Sequence, residues 1–232
     1  LQLFGGPQVC AEIDMRSARL IADALGVVVK SLFLMEETQV LALTDGLTGL
    51  YNRRHASARL EEEMARARRN NTGLCVAMCD VDHFKAINDE FGHGAGDRVL
   101  QQIASSLTEY VRRNDIVARW GGEEFLVIFS EIKLTAARIV AERLRGRLAS
   151  TPQVEGGPDS ISVSIGLSML RPGITADALI EQADQALYRA KARGRNRVEV
   201  AGEERRSKPS TVMLKQGSEA ASELDAKKVD EN

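Results

Sequence analysis

Apolar residues repeat at two different spacings along the chain, one typical of helices and the other typical of strands. From residue 12 to residue 43 there is no proline, and apolar residues recur at seven-residue intervals that include Ile13, Leu20, Val27 and Leu41. A sustained seven-residue repeat predicts a long helix that packs against a partner helix. We therefore interpret residues 1–43 as a signalling and dimerisation helix, and the alternative is a capping helix of the domain that follows.

Downstream of this helix, short apolar runs alternate with helical patterns. Gly121 and Gly122 separate two of the runs and predict a hairpin, because glycine adopts positive φ without a Cβ clash. A hairpin gives the sheet at least one antiparallel pair, so we predict an α+β fold with helices flanking a central sheet. Residues 201–232 are charged and polar, and we expect them to be disordered. The patterns predict strands at 74–79, 116–118, 125–129, 161–169 and 198–200, and helices at 53–70, 83–91, 98–111, 135–148 and 177–192.

The composition excludes several classes of partner. The 232-residue chain has 44% apolar and 28% charged residues and a formal net charge of -2, which gives no basic surface for a nucleic acid polymer. It contains no run of 18 apolar residues that could cross a membrane. Because it begins with Leu1 and shows no signal segment, we expect a fragment of a longer protein. Cys75 and Cys79 lie too far apart on one strand for a disulfide, which favours a reducing, cytoplasmic setting.

Acidic residues follow two of the predicted strands. Asp80 comes directly after the strand at 74–79, and Glu123 and Glu124 come directly after the two glycines of the hairpin. Carboxylates at neighbouring strand ends are ligands that Mg²⁺ takes together with substrate phosphates. For the hairpin alone, two solvated acids are an equally good interpretation, but the second acidic strand end favours a cation site.

Glycines at positions 92, 94 and 96 interrupt the helical pattern of the next stretch. Their Gly-x-Gly-x-Gly spacing is not the dinucleotide-binding fingerprint, and no P-loop pattern occurs anywhere in the chain. We expect a break between two helices here, with Asp97 as the N-cap of the second helix. From the residues alone, a structural role for Asp97 is favoured over ligand binding.

Four motifs occur in a fixed order between residues 44 and 198. They are Asp45-Gly-Leu-Thr-Gly-Leu-Tyr-Asn-Arg-Arg54, Asp80-Val-Asp-His-Phe-Lys-Ala-Ile-Asn-Asp-Glu-Phe-Gly-His-Gly-Ala-Gly-Asp97, Gly121-Gly-Glu-Glu-Phe125 and Ala190-Lys-Ala-Arg-Gly-Arg-Asn-Arg197. Together they resemble the GGDEF-domain diguanylate cyclases. The resemblance implies a catalytic domain at 44–200 with the ferredoxin-like palm of nucleotidyl cyclases, at the C-terminal end of a bacterial sensory protein. The segment before it weakly resembles the closing helix of a GAF-type sensory domain.

The resemblance further implies an activity and a metal site. A homodimer would condense two GTP into cyclic di-GMP and release two pyrophosphates. Two Mg²⁺ or Mn²⁺ ions per active site are implied, with Asp80, the Val81 carbonyl and Glu123 as ligands. Glu124 would share the second ion or act on the attacking hydroxyl, so the implied catalytic residues are Asp80, Glu123 and Glu124. We interpret Asp82 as structural.

The resemblance also implies which residues bind the nucleotide. Asn88 and Asp97 match the positions that read the guanine edge. The chemistry agrees, because a carboxylate accepts hydrogen bonds from guanine N1–H and N2–H₂, whereas adenine presents an acceptor at N1. Lysine and arginine suit phosphates as a point charge and a bidentate fork. The residues matched to the phosphates are Phe84, Lys85, Lys191 and Arg195. Gly121 and Gly122 would let an anion approach the backbone closely.

A short motif upstream of the hairpin matches the inhibitory product site of the family. It consists of Arg112 and Asp115, with Arg143 on the helix at 135–148 as a secondary arginine. A surface ion pair of little energetic value is the competing interpretation. For the whole domain, the alternative is a catalytically silent module that binds GTP or cyclic di-GMP and signals by contact.

Overall fold

The computed structural model describes residues 18–30, 43–150 and 156–203. The chain divides into two units, Leu1–Ala201 and Gly202–Asn232, and only residues 202 and 203 of the second are described. Residues 18–30 form helix α1, which lies within the predicted long helix and leaves Leu20 and Val27 70% and 69% exposed. The remainder of that predicted helix, and the tail predicted to be disordered from residue 204 onward, lie outside the described residues.

A six-stranded sheet forms the centre of the domain. Its strands are β1 (Tyr51–Asn52), β2 (Leu74–Val81), β3 (Ile116–Arg119), β4 (Glu124–Ser130), β5 (Val163–Met169) and β6 (Val198–Val200), in the spatial order β1-β3-β4-β2-β5-β6. The four inner strands pair antiparallel, and the two edge strands pair parallel with their neighbours. Helices connect β2 to β3 and β4 to β5, which is the βαββαβ arrangement of ferredoxin-like folds. The predicted α+β fold with antiparallel pairs is confirmed.

Helices cover both faces of this sheet. On one face lie α2 (Arg53–Asn70) and α6 (Ala176–Ala192), and on the other lie α3 (Phe84–Phe91), α4 (His93–Tyr110) and α5 (Leu134–Ala149). All eight residues of β2 are buried, because this strand lies between two others and beneath both helical layers. That position explains why its sequence is a continuous apolar run and not an alternating one.

Helix α4 begins at His93, five residues earlier than the sequence predicts. Asp97 therefore lies inside the helix, and its prediction as an N-cap is wrong. The helix starts after Gly92, whose φ of 81° and ψ of 160° are readily adopted only by glycine. The low helix propensity of the other glycines is outweighed by packing, since Ala95 and Gly96 are buried on the face of α4 that meets α3.

The predicted hairpin between β3 and β4 is present, but the reason given for its glycines is wrong. Neither Gly121 nor Gly122 is among the described residues that have a positive φ. The turn is closed by the N–H of Trp120, which donates to the Glu124 carbonyl at 2.8 Å. A Cβ atom at Gly121 would lie 3.0 Å from Oε2 of Glu124, so the missing side chain makes room for that carboxylate.

Both cysteines in the described part of the chain, Cys75 and Cys79, are buried free thiols, in agreement with the prediction that they form no disulfide. Burial raises the pKa of each thiol to about 12, so neither is a nucleophile at neutral pH. Among the residues that the structure describes, no helix is both long and apolar enough to span a membrane.

Candidate active site

The sheet register brings the predicted catalytic carboxylates to one end of two neighbouring strands. Asp80 near the end of β2 is the Cα partner of Glu124, the first residue of β4. One residue further, the N–H of Val81 donates to the carbonyl of Glu123 at 3.3 Å. Asp80 is buried, whereas Glu123 and Glu124 are half-buried. Three carboxylates and the Val81 backbone therefore share one edge of the sheet.

Burial and mutual repulsion make this edge favourable for cations. Burial is the largest cause that raises the pKa of all three carboxyl groups, and the charge of Asp80 adds to the effect at Glu123 and Glu124. Lys191 in the last turn of α6 opposes this rise in pKa, because its positive charge favours the ionised carboxylates. Its Nζ lies 2.7 Å from Oδ2 of Asp80. Crowded carboxylates gain stability when a cation approaches them.

The donor set fits a divalent cation such as Mg²⁺. Its members, Asp80, Val81, Glu123 and Glu124, offer only carboxylate and carbonyl oxygens, which are the ligands that Mg²⁺ prefers. In the described ranges no three acidic, histidine or cysteine side chains form a complete metal cage. Such an incomplete set is typical of Mg²⁺ sites that are completed by substrate phosphates and water.

The residues predicted to read guanine lie where α3 meets α4. The side chain of Asn88 on α3 rests against Gly96 in the first turn of α4. The contact is so close that a Cβ atom added to Gly96 would lie 2.0 Å from Oδ1 of Asn88. Asp97 follows Gly96 directly and is exposed, whereas Asn88 is half-buried. The structure thus brings Asn88 and Asp97 close together, on adjacent helices. Phe84 and Lys85 begin α3, Phe84 buried and Lys85 exposed.

The two cations predicted to hold phosphates flank the carboxylates. Lys191 pairs directly with Asp80, and the charge of Arg195 is close enough to help lower the pKa of Asp80 against the effect of burial. Arg195 lies in the turn between α6 and β6. Both cations therefore face the acidic edge of the sheet, where a metal-bound triphosphate would need them.

The predicted inhibitory motif forms a turn at the other end of the sheet. Oδ2 of Asp115 accepts the N–H of Arg112 at 2.9 Å, and Oδ1 accepts the N–H of Ser130 at 3.3 Å. Ser130 pairs with Leu74, six positions from the pair of Asp80 and Glu124, which corresponds to roughly 20 Å. In the described part of the chain the Asp115 carboxylate thus organises backbone instead of forming a simple side-chain ion pair.

A cleft of about 300 Å³ opens beside this turn. Its charged lining residues are Arg66 of α2, Arg112, Arg113, Glu63, Asp115 and Glu131. No motif in the sequence indicated Arg66. Arg143 is exposed on α5, which covers the opposite face of the sheet from α2. It is not among the described residues that line the cleft.

The family model for the diguanylate cyclase GGDEF domain matches residues 42–197. This chain belongs to that family. Diguanylate cyclase DgcP of Pseudomonas aeruginosa is 49% identical over 168 residues, which are 72% of this chain and 25% of that protein. Response regulator PleD of Caulobacter vibrioides is 40% identical over 168 residues, 71% of this chain and 37% of that protein. The chain therefore spans between a quarter and two fifths of the length of these relatives.

Solved GGDEF domains share the fold. The coiled coil and GGDEF domain of DgcB from Caulobacter crescentus, in complex with c-di-GMP, superimposes with a TM-score of 0.74 at 35% identity, and the match covers 80% of this chain and 98% of that one. The active GGEEF domain of a diguanylate cyclase from Vibrio cholerae gives a TM-score of 0.62 at 36% identity, with 66% of this chain and 98% of that one covered.

Arg119, which no motif in the sequence indicated, holds the Gly121-Gly122 turn in place. Nε and Nη2 of Arg119 donate to the carbonyl of Gly122 at 3.1 and 2.7 Å, and Nη1 contacts Oδ1 of Asp45 at 3.0 Å. Although burial opposes it, the hydrogen bonds from Thr48 and the Arg119 charge lower the pKa of Asp45. The first motif is thereby tied to the third, and no spacing in the sequence signals this contact.

Proposed function

We propose that this GGDEF domain condenses two GTP into cyclic di-GMP and two pyrophosphates. The observation that carries the proposal is the convergence of Asp80, Glu123 and Glu124 at adjacent strand ends, beside Lys191. The ion pair with Lys191 offsets only part of the cost of burying Asp80, because burial still raises the pKa of that carboxyl group. A purely structural domain gives no reason to crowd two further carboxylates against it. The names of the relatives, diguanylate cyclases among them, support the same activity.

Each domain would bind one GTP between its acidic edge and the junction of α3 and α4. Asp97 would accept from N1–H and N2–H₂ of guanine, and Asn88 would complete the recognition of the base edge. The β- and γ-phosphates would meet Lys191, Arg195 and the Phe84-Lys85 segment at the start of α3. The backbone of half-buried Gly121 and exposed Gly122 would allow close approach of the α-phosphate.

The reaction requires transfer of one proton for each bond formed. The 3′-hydroxyl of one GTP attacks the α-phosphorus of the other, a new P–O bond forms, and the bond to pyrophosphate breaks. We assign the acceptance of the hydroxyl proton to Glu124, the Cα partner of Asp80 at the acidic edge. Repetition in the opposite direction closes the ring and releases the second pyrophosphate. Two Mg²⁺ or Mn²⁺ ions, held by Asp80, Val81, Glu123 and Glu124, would supply charge neutralisation for the phosphates and activation of the hydroxyl.

A single domain presents only one such edge, so the proposed reaction needs two domains that face each other. Helix α1 supports a role in pairing them, because its exposed apolar residues Leu20 and Ile21 recur seven positions later as Val27 and Val28. We propose that the helix joins two copies of the chain and connects them to an upstream sensory domain, in the bacterial cytoplasm.

Inhibition by the product is the second part of the proposal. Arg112 and the turn organised by Asp115 would bind cyclic di-GMP. Arg143 lies on α5, on the opposite face of the sheet from α2, so it would contact that molecule only from a second copy of the domain. The cleft is lined by three arginines, Arg66, Arg112 and Arg113, and by the acidic residues Glu63, Asp115 and Glu131. The arginines would pair with the two phosphates of that molecule. Two of the solved GGDEF domains most similar in structure are complexes with c-di-GMP, which supports binding of the product by this fold.

The test is incubation of the chain with GTP and Mg²⁺, followed by chromatography and mass spectrometry of the nucleotides. We expect cyclic di-GMP and two equivalents of pyrophosphate, and no product in EDTA or with the Glu124→Gln variant. Absence of product in the presence of Mg²⁺ and of Mn²⁺, with GTP binding intact, would overturn the proposed activity.

A further inference from the structure

Asp82 is buried beside the active site but takes no part in the proposed chemistry. Its Oδ1 accepts the hydroxyl of Ser164 at 2.7 Å, and its Oδ2 accepts the hydroxyl of Ser162 at 2.7 Å and the N–H of Asn196 at 3.0 Å. Its own N–H donates to the carbonyl of Ser162 at 2.9 Å. Only 5% of its surface is exposed. A buried carboxylate with this many donors is fixed in position by them, and fixes them in turn.

One of these donors belongs to an unusual turn. Gly194, Arg195 and Asn196 follow α6 with φ angles of 105°, 58° and 45°. Positive φ is unfavourable for the two residues other than glycine, so this turn persists only because contacts outside it compensate. Asn196 receives two of them, since Nη1 of Arg145 donates to its Oδ1 at 2.8 Å and its N–H is held by Asp82.

The turn carries Arg195, one of the two phosphate-binding cations of the proposed site, and it follows the helix end that carries the other, Lys191. Arg195 is its central residue, and its N–H donates to the carbonyl of Ala190 at 3.0 Å, next to Lys191 at the end of α6. Asp82 is two residues after Asp80, the carboxylate with which Lys191 pairs. The three residues from Asp80 to Asp82, at and just after the end of β2, therefore carry the acidic group of the site and the anchor of the turn that contains Arg195.

We propose that Asp82 is a positioning residue that aligns Arg195 and Lys191 with Asp80 for the triphosphate of GTP. It acts through Asn196 and touches neither substrate nor metal. The inference rests on the proposed function, because it presumes that Lys191 and Arg195 bind phosphates. It predicts that the network matters for the β- and γ-phosphates and not for the base or the sugar.

The test compares the binding of two nucleotides to the full chain by calorimetry with Mg²⁺. One is 3′-deoxy-GTP, which lacks the attacking hydroxyl, and the other is GMP, which lacks the β- and γ-phosphates. The change in the ratio of their dissociation constants between wild type and variant isolates the triphosphate. The 3′-hydroxyl that only GMP carries affects the ratio equally in both proteins, and a loss of folded protein lowers the stoichiometry and leaves the ratio unchanged. Two serines of β5 provide a matched pair of variants. Ser164 and Ser168 are both fully buried, but the hydroxyl of Ser164 donates to Asp82 whereas that of Ser168 donates to Gln182 at 3.2 Å.

We expect Asp82→Ala to weaken binding of 3′-deoxy-GTP about tenfold to a hundredfold, a range typical of residues that orient ligand-binding groups, while GMP binding stays nearly constant. Ser164→Ala should lower the 3′-deoxy-GTP preference in the same direction by a smaller factor, and Ser168→Ala should not. Asp82→Asn keeps an acceptor oxygen for the Asn196 N–H and should restore part of the preference.

Three outcomes contradict the proposal and are distinguishable. If the wild-type chain binds 3′-deoxy-GTP no better than GMP, the assignment of Lys191 and Arg195 to the phosphates fails, and the role of Asp82 fails with it. If the wild type prefers 3′-deoxy-GTP but Ser164→Ala and Asp82→Ala keep that preference, only the positioning role is overturned. The same loss for both nucleotides would also overturn it, because the network would then be merely structural.

Discussion

The Gly96→Ala substitution separates guanine recognition from folding. Gly96 lies inside α4, and a Cβ atom built on it would lie 2.0 Å from Oδ1 of Asn88, where an ordinary contact is 3.4 Å or more. The Asn88 amide would therefore have to move by about 1.4 Å, the difference between these two distances. The next nearest atoms to this Cβ are Cγ of Asn88 at 3.0 Å and Cζ of Phe84 at 3.1 Å. Both distances are nearer to an ordinary contact, so these two atoms would have to move less.

Two opposing terms leave the stability of this variant nearly unchanged. Alanine is more favourable than glycine inside a helix by about 1 kcal/mol. Displacement of Asn88 from its rotamer costs about 0.5–1.5 kcal/mol. The free energy of unfolding should therefore change by less than about 1 kcal/mol, which corresponds to a Tm shift within about 4 °C for a domain of this size.

Substrate binding should change far more than stability. If Asn88 reads the guanine edge, its displacement leaves a polar group of the base unpaired, at a cost of about 1–3 kcal/mol. This cost corresponds to an increase of roughly 5-fold to 150-fold in the KM for GTP. The KM is obtained from initial rates of cyclic di-GMP formation, and the Tm from circular dichroism.

Gly94 provides the matched control in the same turn of α4. The nearest atom to a Cβ at this position is Nη1 of Arg98 at 3.7 Å, so Gly94→Ala gains helix propensity without a clash. We expect an unchanged KM and an equal or slightly higher Tm. A wild-type KM for Gly96→Ala, or the same rise in KM for Gly94→Ala, would refute the role of Asn88.

Three further predictions address the carboxylates and the inhibitory turn. Glu124→Gln should lower kcat at least about a hundredfold while 3′-deoxy-GTP still binds in calorimetry, and wild-type turnover would contradict its role as proton acceptor. The raised pKa of Glu123 means that its contribution to stability is fully present below about pH 4 and is lost as the pH rises through its folded pKa. In EDTA, Glu123→Gln should therefore melt higher than wild type at pH 7 but not at pH 3.5, and an equal Tm at pH 7 would contradict this reasoning. Arg112→Ala should relieve inhibition by added cyclic di-GMP without a higher initial rate. Arg69 is an exposed arginine of α2 outside the cleft, so Arg69→Ala should leave the inhibition unchanged. Unchanged inhibition in Arg112→Ala would leave the turn with a structural role.

Local patterns predicted the elements well because burial acts on each element separately. The apolar run of β2 reflects a strand covered on both faces, and the glycine pair reflects the hairpin between β3 and β4. The meeting of Asp80 with Glu124 also followed from sequence, since both lie at strand ends. Pattern alone did not predict the strand order, which depends on how the helical connections cross the sheet.

Contacts between distant residues had no local signal. Asp82 meets donors 80, 82 and 114 residues away, and the side chain of Arg119 turns back to Gly122 while it also pairs with Asp45, 74 residues away. The start of α4 was predicted wrongly because glycine's propensity decided the prediction, whereas packing of Gly96 against Asn88 decides the structure. The roles of Asn88 and Asp97 were predicted from the family resemblance, because no periodicity in the chain indicates them.

The most direct test of the account is the initial rate of cyclic di-GMP formation from GTP and Mg²⁺, measured over a wide range of protein concentration. We expect product at a rate that rises more steeply than linearly with protein concentration, because two domains must meet for each bond to form. Absence of product at every concentration, with Mg²⁺ or Mn²⁺ and with GTP bound, would contradict it and favour a silent binding module. A strictly linear dependence that extends to concentrations at which the chain is monomeric would contradict the requirement for two domains.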